Sequence, residues 1–443
     1  MNERTENKPA TVSETTPPAG ETHDPWGWVE RSAWTERMLT ALEEGVKGDK
    51  WFRLIDKVYA PRNLQAAFWA VWRNGGSPGV DRQSVEQFDA KHTEELGELS
   101  QQRQERTYRP HPVRRVWIPK PGSHERRPRG IPAVRDRVVQ AALKAVIEPI
   151  FEREFAGTSY GFRPGRGCQQ ALERVEGLLQ AGYTWVVDAD LKSYFDTIPH
   201  EALMTRVQER IADGRVLKLI ESFLRQGVRE ERKGWQPTER GTPQGAVISP
   251  LLANVYLNPL DQQRVKEGWA MTRYADDFII QCRSQAEAQV ALEAVRQGVE
   301  AAGLQLHPTK TRIVDATQRD GLDFLGYHYE RGYQWPRSKS QEKFKETIRQ
   351  KTPRTSGESL EAIIVRVNRS VRGWHAYFRR SLPNVLGELD QMVRRRLRSI
   401  LMKRHRKRGI AWRQANKLGP NAYLTERGLY TMAPALATRR QSH

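Results

Sequence analysis

The hydrophobic pattern changes period several times along the chain. Residues 1–24 are rich in Thr, Glu, Pro and Asn with almost no large apolar side chains, a composition that cannot offset the entropy of ordering, so a disordered tail is expected there. From Trp26 the character changes. Trp34, Met38, Leu39 and Leu42 recur at helical spacing, and Trp51, Phe52, Leu54, Ile55 and Val58 extend the apolar pattern, predicting a helical N-terminal region. The turn-rich Asn74-Gly75-Gly76-Ser77-Pro78-Gly79 then leads into more helix and a basic segment around Arg114 to Arg129. From Thr184 to about Trp335 short strands alternate with helices, which predicts an α+β core. Beyond Arg337, Leu360, Ile363, Ile364, Val367, Val371, Trp374 and Phe378 keep one stripe of a helix capped by Ser359. Leu386, Leu389, Val393, Leu397 and Ile400 repeat the pattern in a second helix.

A chain of 443 residues is long enough to bury two or three compact cores. Its 73 Lys and Arg against 53 Asp and Glu give a formal charge of +20, which favours a polyanionic partner, nucleic acid first, over an acidic small molecule. The surplus is uneven. From Arg337 to Arg408 there are 21 basic against 6 acidic residues, where a solvated helix face would interleave both signs. There is no run of about 18 apolar residues and no signal peptide with an apolar core, so a cytoplasmic protein with no membrane partner is expected. With only Cys168 and Cys282 there is no disulfide framework and no CxxC zinc site. Any metal must sit on oxygen.

The strongest local signal is Tyr274-Ala275-Asp276-Asp277, flanked by Met271-Thr272-Arg273 and the apolar Phe278-Ile279-Ile280. Adjacent carboxylates at a hairpin tip repel each other and need a counter-charge, which a divalent cation supplies. An isolated Asp-Asp would be a polar turn. Upstream, however, Trp185-Val186-Val187-Asp188-Ala189-Asp190 is a short strand ending in a carboxylate. Period 2 places Asp188 and Asp190 on one face and Val187, Ala189 and Leu191 on the other. A strand-end Asp190 beside an Asp276-Asp277 hairpin would build an oxygen-ligand site for two Mg²⁺ ions about 3.5–4 Å apart, the arrangement that supports in-line phosphoryl displacement.

These segments resemble the palm of reverse transcriptases, specifically those encoded by bacterial group II introns, and matching blocks run in order along almost the whole chain. Arg73-Asn74 through Gly79-Val80-Asp81 resembles the N-terminal fingers element of that family. Ile118-Pro119-Lys120-Pro121, Arg127-Pro128-Arg129-Gly130-Ile131-Pro132 and Arg135-Asp136-Arg137-Val138-Val139-Gln140 resemble its basic fingers motifs, with Arg129 standing where an apolar residue is usual. Ser159-Tyr160-Gly161-Phe162-Arg163-Pro164-Gly165-Arg166 is similar to the next block, and Gly241-Thr242-Pro243-Gln244-Gly245 with Ser249-Pro250-Leu251-Leu252 to the template-positioning block. Gly303-Leu304-Gln305-Leu306 through Lys310-Thr311 and Phe324-Leu325-Gly326-Tyr327 resemble the closing palm elements. Arg369 to Phe378, and the helix ending in Arg394-Arg395-Arg396, resemble the maturase thumb.

The resemblance implies an α+β right-hand polymerase: fingers, a ferredoxin-like palm carrying an antiparallel sheet, and an α-helical thumb. The expected division is a tail to 24, N-terminal extension and fingers over 25–180, palm over 181–336, thumb over 337–408 and a basic, DNA-binding-like tail over 409–443. It implies that Asp190, Asp276 and Asp277, with the Leu191 carbonyl, hold two Mg²⁺. Lys120 and Arg127 would grip the dNTP triphosphate, Phe195 would exclude a ribose 2′-hydroxyl, Gln244 would lie near the nascent base pair, and Lys310 would protonate departing pyrophosphate. Arg372, Arg394, Arg395, Arg396 and Arg398 would contact RNA phosphates, with Trp374 and Phe378 in the core. The implied partners are the parent intron RNA, an RNA template with a DNA primer, target DNA and dNTPs. No cysteine-rich endonuclease follows Tyr430, so an endonuclease-less lineage without DNA nicking is expected. Two other readings stay open: an RNA-folding maturase without polymerase activity, and a host-adopted relative serving defence or diversity generation.

Overall fold

The computed structural model describes residues 26–119, 126–231, 233–405, 416–417 and 419–433; the expected N-terminal tail and Lys120 lie outside the described residues. The N-terminal region is helical, with Glu36–Glu44, Pro61–Asn74 and His92–Gln104 as its longer members. Pro61–Asn74 packs on His92–Gln104 and on Val134–Glu152, and the buried residues of Val134–Glu152 lie on nearly every side. The indole of Trp34 donates to the carbonyls of Ala145 and Val146, and the buried amide of Asn63 donates to that of Ala142. One expectation fails here. Trp51 and Phe52 do not continue a helix, because the Trp51 backbone pairs with residues 210 and 212 (2.8 and 2.9 Å), and Phe52 is left 63% exposed. Helix resumes at Ile55–Val58, whose first N–H is accepted by the Asp213 carboxylate.

The strands are β1 (Val113–Pro119), β2 (Arg126–Ile131), β3 (Trp185–Asp190), β4 (Val228–Glu230), β5 (Gly234–Gln236), β6 (Ala270–Tyr274), β7 (Asp277–Cys282), β8 (Arg312–Asp315), β9 (Leu322–Phe324), β10 (Tyr327–Glu330) and β11 (Tyr333–Pro336). They form three sheets, ordered β2-β1-β4-β5, β6-β7-β3-β8 and β11-β10-β9. The first contains a parallel β1–β4 pair, Val113 opposite Val228, that the sequence pattern did not foretell. The second is antiparallel throughout. Its chain order, β3, helices, β6, β7, helix, β8, with β3 and β7 central, is the ferredoxin-like topology expected of the palm.

Period 2 decides what each face of this central sheet meets. Val187, Ala189, Met271, Phe278 and Ile280 face helices Ser249–Lys266 and Gln285–Ala301 and share the largest core with them. The opposite face carries Asp188 and Asp190 and is covered at its far end as well. There Val186 and Ile279 pack with Ala171, Leu172 and Val175 of helix Cys168–Gln180 and with β9 and β10. The cover ends toward Asp190, whose side chain stays 26% exposed.

After β11 come helices Ser338–Lys351, Leu360–Phe378 and Pro383–Arg404. Ser359 caps the second of them by accepting from the Ala362 N–H. The two predicted stripes meet in a separate core with Phe344 and Ile348. Leu424, Leu429 and Met432, from the segment that the sequence reading set apart after 408, pack into the same core, and the Asp390 carboxylate accepts the N–H groups of Met432 and Ala433. Among the described residues, no helix is long and apolar enough to cross a membrane.

Candidate active site

The β3–β7 register puts Asp190 directly opposite Asp277, with Asp188 opposite Ile279. Cross-strand partners share a face, so Asp188, Asp190 and Asp277 lie together at one end of the sheet, and Asp276 sits in the turn joining β6 to β7. The structure thus brings the three predicted carboxylates together and adds a fourth, Asp188. Burial, with repulsion from Asp188, Asp276 and Asp190, pushes the Asp277 carboxyl up to about 7. Burial pushes Asp188 up to about 6 against the pull of Arg312, and burial together with Asp190 raises Asp276. Several carboxyls held this close without a full set of counter-charges favour a bound cation.

Cations of the chain already attend the cluster. Lys310 Nζ lies 2.5 Å from Asp190 Oδ2, and Arg312 Nε lies 3.4 Å from Asp188 Oδ2. Among the described residues, no three His, Cys, Asp or Glu side chains are disposed so that they could hold a metal ion as they stand. The donor chemistry nevertheless suits a hard divalent ion: every candidate donor is oxygen. Beside Leu191, the His307 N–H donates to the Asp190 carbonyl (2.7 Å) and the Lys192 N–H to the Gln305 carbonyl (2.8 Å). That bridge to Leu306 uses the flanking residues and leaves the Leu191 carbonyl out.

Phe195, half-buried, follows the carboxylate strand and meets the ring of Phe162 edge-on at 6.5 Å. The Thr242 N–H donates to the Phe195 carbonyl (2.7 Å), fastening the Gly241–Gly245 loop beneath it. Gly241 has φ 83, and a Cβ there would stand 2.6 Å from that same carbonyl; this glycine serves an approach of protein backbone. Gln244 donates from Nε2 to Asp196 (3.2 Å), and its carbonyl accepts the Gly130 N–H (2.6 Å), so the loop ties β2 to the Phe195 segment. Arg127 is exposed on β2, opposite Ile118.

The predicted RNA-binding arginines are not placed alike. Arg398 is 6% exposed, with Nε on the Gly419 carbonyl (2.7 Å) and Nη2 on Asn421 (2.6 Å). Arg396 bonds the hydroxyl and carbonyl of Thr352, and Arg394 reaches the Thr431 hydroxyl. These three join parts of the helical domain. Arg395 and Arg372 are exposed, the latter over the Tyr430 ring at 5.2 Å. Sequence reasoning also passed over Arg273, which is 1% exposed. Its signal was available: at period 2 from the apolar Met271, it occupies a core-facing strand position.

Residues 118–329 match the family model described as reverse transcriptase (RNA-dependent DNA polymerase), and residues 341–419 match the group II intron maturase-specific domain. Protein YkfC of Escherichia coli (strain K12) is 36% identical over 357 residues, 71% of this chain and 92% of that protein. The group II intron-encoded protein LtrA of Lactococcus lactis subsp. cremoris is 40% identical over 231 residues. That match takes in 51% of this chain but 37% of LtrA, so the chain spans little more than a third of the longer relative.

Two outcomes follow from the geometry. Because the Asp277 carboxyl holds its proton up to about pH 7 when folded, the folded state binds more protons than the unfolded one above about pH 4. The stability contributed by this proton should therefore be fully present below about pH 4 and be lost, by roughly 2–4 kcal/mol, as pH rises through 7 in EDTA. Denaturant unfolding of wild type against Asp277→Asn measures it, and equal pH slopes for the two would contradict the assignment. Separately, Arg398→Gln leaves a buried carbonyl without its donor and should cost about 1–3 kcal/mol in thermal unfolding. RNA affinity should then fall only with the folded fraction, at an unchanged slope of log K against log salt. Full stability with a reduced slope would instead make Arg398 a phosphate ligand.

Proposed function

The chain belongs to the group II intron reverse transcriptase and maturase family, and from that premise we propose that it is an RNA-directed DNA polymerase whose helical domain binds the parent intron RNA. The observation that carries the reading is the Asp190–Asp277 cross-strand pair beside Asp276, set in a ferredoxin-like sheet within the matched polymerase segment. In this reading the substrates are dNTPs and a DNA primer on an RNA template, and the mobile intron's target DNA is a further partner. No observation favours a maturase without polymerase activity or a host-adopted role.

Asp190, Asp276 and Asp277, with the Leu191 carbonyl, would hold two Mg²⁺. Bound there, the ions supply charge for activating a primer 3′-hydroxyl and for stabilising the leaving pyrophosphate. Lys310 Nζ lies against Asp190, where it balances the carboxylate and would give a proton to the departing pyrophosphate. Asp188, held by Arg312, adds negative charge behind Asp277 without being asked to ligate. Phe195 presents its ring beside the strand end, where it would meet a 2′-hydroxyl and select by exclusion. Gln244 ties its loop to Asp196 and to β2 and would lie near the nascent base pair, and Arg127 and Lys120 would offer cations to the triphosphate. On the helical domain Arg372 and Arg395 are the exposed members of the predicted set, and they are the ones assigned to intron phosphates.

Asp190→Ala or Asp276→Ala should abolish cDNA synthesis on a primed RNA template in Mg²⁺ while primer-template binding survives; wild-type extension by either variant would remove the palm assignment. Phe195→Val should let rNTPs extend a primer by at least about tenfold over wild type, the effect of removing roughly 1.4 kcal/mol of steric exclusion. Unchanged sugar discrimination in a well-folded Phe195→Val protein would mean that another side chain guards the 2′ position.

A further inference from the structure

Beneath the catalytic hairpin lies a charged group that the chemistry above leaves unused. Arg273 belongs to β6, one residue before Tyr274, and faces the helix layer rather than the carboxylates. It is 1% exposed, and its partner Asp261, on helix Ser249–Lys266, is 0% exposed. Its Nε lies 2.7 Å from Asp261 Oδ1, and its Nη2 lies 2.5 Å from Oδ2. Those two contacts satisfy the buried charge. The remaining arm points elsewhere: Nη1 donates to Asn254 Oδ1 (3.0 Å) and to the carbonyl of Ala275 (2.8 Å).

Ala275 is the residue whose backbone sets the hairpin. Its φ is 60, a left-handed conformation that a residue with a Cβ holds only when its surroundings enforce it. Asp276 follows directly. The turn is also pressed from the other side, since a Cβ on Gly161 would stand 2.3 Å from the Ala275 nitrogen. Asn254, the second acceptor of Arg273 Nη1, donates to the Gly161 carbonyl (2.8 Å). The Arg273 backbone completes the clamp, its N–H donating to Thr158 and its carbonyl accepting from Tyr160, both at 2.9 Å. One guanidinium therefore links helix, loop and catalytic turn.

We propose that Arg273 is a positioning residue for catalysis, its Nη1 holding the Ala275 carbonyl so that the left-handed turn presents Asp276 to the cation site shared with Asp190. This rests on the polymerase reading but concerns the geometry of the turn. An ammonium cannot replace it, because a point charge satisfying Asp261 has no rigid second arm for Ala275.

The test compares wild type with Arg273→Lys and with the double variant Arg273→Met/Asp261→Leu, which removes the buried ion pair as a unit and so avoids stranding a charge. Mn²⁺ binding is followed by electron paramagnetic resonance, primer extension by kcat and dNTP KM, and folding by thermal unfolding. Both variants should bind Mn²⁺ at least about 10-fold more weakly, the usual penalty for losing an outer support of a metal ligand. Their kcat should fall by a similar factor, with dNTP KM and primer-template affinity close to wild type. The double variant should show this even when its melting temperature matches that of wild type. Wild-type Mn²⁺ affinity and kcat per folded molecule in the double variant would overturn the proposal and leave Arg273 a packing element. Should wild type itself extend no primer, the polymerase reading fails on its own, and the Mn²⁺ comparison still decides the role of Arg273.

Discussion

The pairing of β3 with β7 places Asp190 opposite Asp277, and much of the architecture follows from holding that register. Side chains alternate faces along a strand, so a slip of one residue would send Asp188 and Asp190 into the helix layer and bring Val187 and Ala189 to the open face. The apolar side guards against this. Val187, Ala189, Phe278 and Ile280 are all fully buried against helices Ser249–Lys266 and Gln285–Ala301. A slip would forfeit their burial, worth roughly 1.5–3 kcal/mol for each large side chain. β8 adds a second constraint by pairing Arg312 with Asp188, which sets a cation against the carboxylate furthest from the turn.

Concentrating four carboxylates has a cost, visible in the raised Asp277, Asp188 and Asp276 carboxyls. The fold meets it on two levels. On the open face, Lys310 and Arg312 supply exposed charges that can move aside. Below the sheet, Arg273 is committed to Asp261 with no water to compete, and what it gives the site is geometry through the Ala275 carbonyl. Exposed pairs contribute little to stability but shift easily, whereas a buried, fully hydrogen-bonded pair is rigid. A site that, as proposed, admits cations and nucleotides needs movable charge in front and fixed charge behind.

Much of this was legible in the sequence, for local reasons. Alternation in Val187, Asp188, Ala189 and Asp190 reported the two faces, Ser359 announced a helix start, and the stripes from Leu360 and Leu386 gave two packed helices. What failed depended on direction or on distant partners. A run such as Arg394-Arg395-Arg396 gives the sign of the charge but not where each side chain goes; on a helix of 3.6 residues per turn, neighbours diverge by about 100°. Arg395 is exposed, while Arg398 turns inward to a carbonyl 21 residues away. Trp51 resembled the helices around it until residues 210 and 212 supplied strand partners. The loop at Gly241 resembled a template-positioning block, and the carbonyl it approaches belongs to Phe195, far from it in sequence.

The junction between the palm and the helical domain limits how the remaining basic charge can act. Phe378, at the end of helix Leu360–Phe378, is buried in the core shared with Leu322, Phe324, Tyr327 and helix Cys168–Gln180. The Tyr377 hydroxyl donates to the Leu325 carbonyl, and the Tyr377 carbonyl accepts from both Tyr327 and Gln169. Arg380 bridges Glu173 and Glu176, and the Leu382 N–H donates to Gln334. Apolar burial, neutral hydrogen bonds and ion pairs thus coincide at one joint, which makes a free hinge there costly. Exposed charges act on a polyanion only within about a Debye length, near 8 Å at physiological salt. A helical domain fixed in this way holds the exposed Arg372 and Arg395 at set positions relative to the carboxylates, so an RNA bound there as proposed would be placed by the protein's geometry and not by attraction alone.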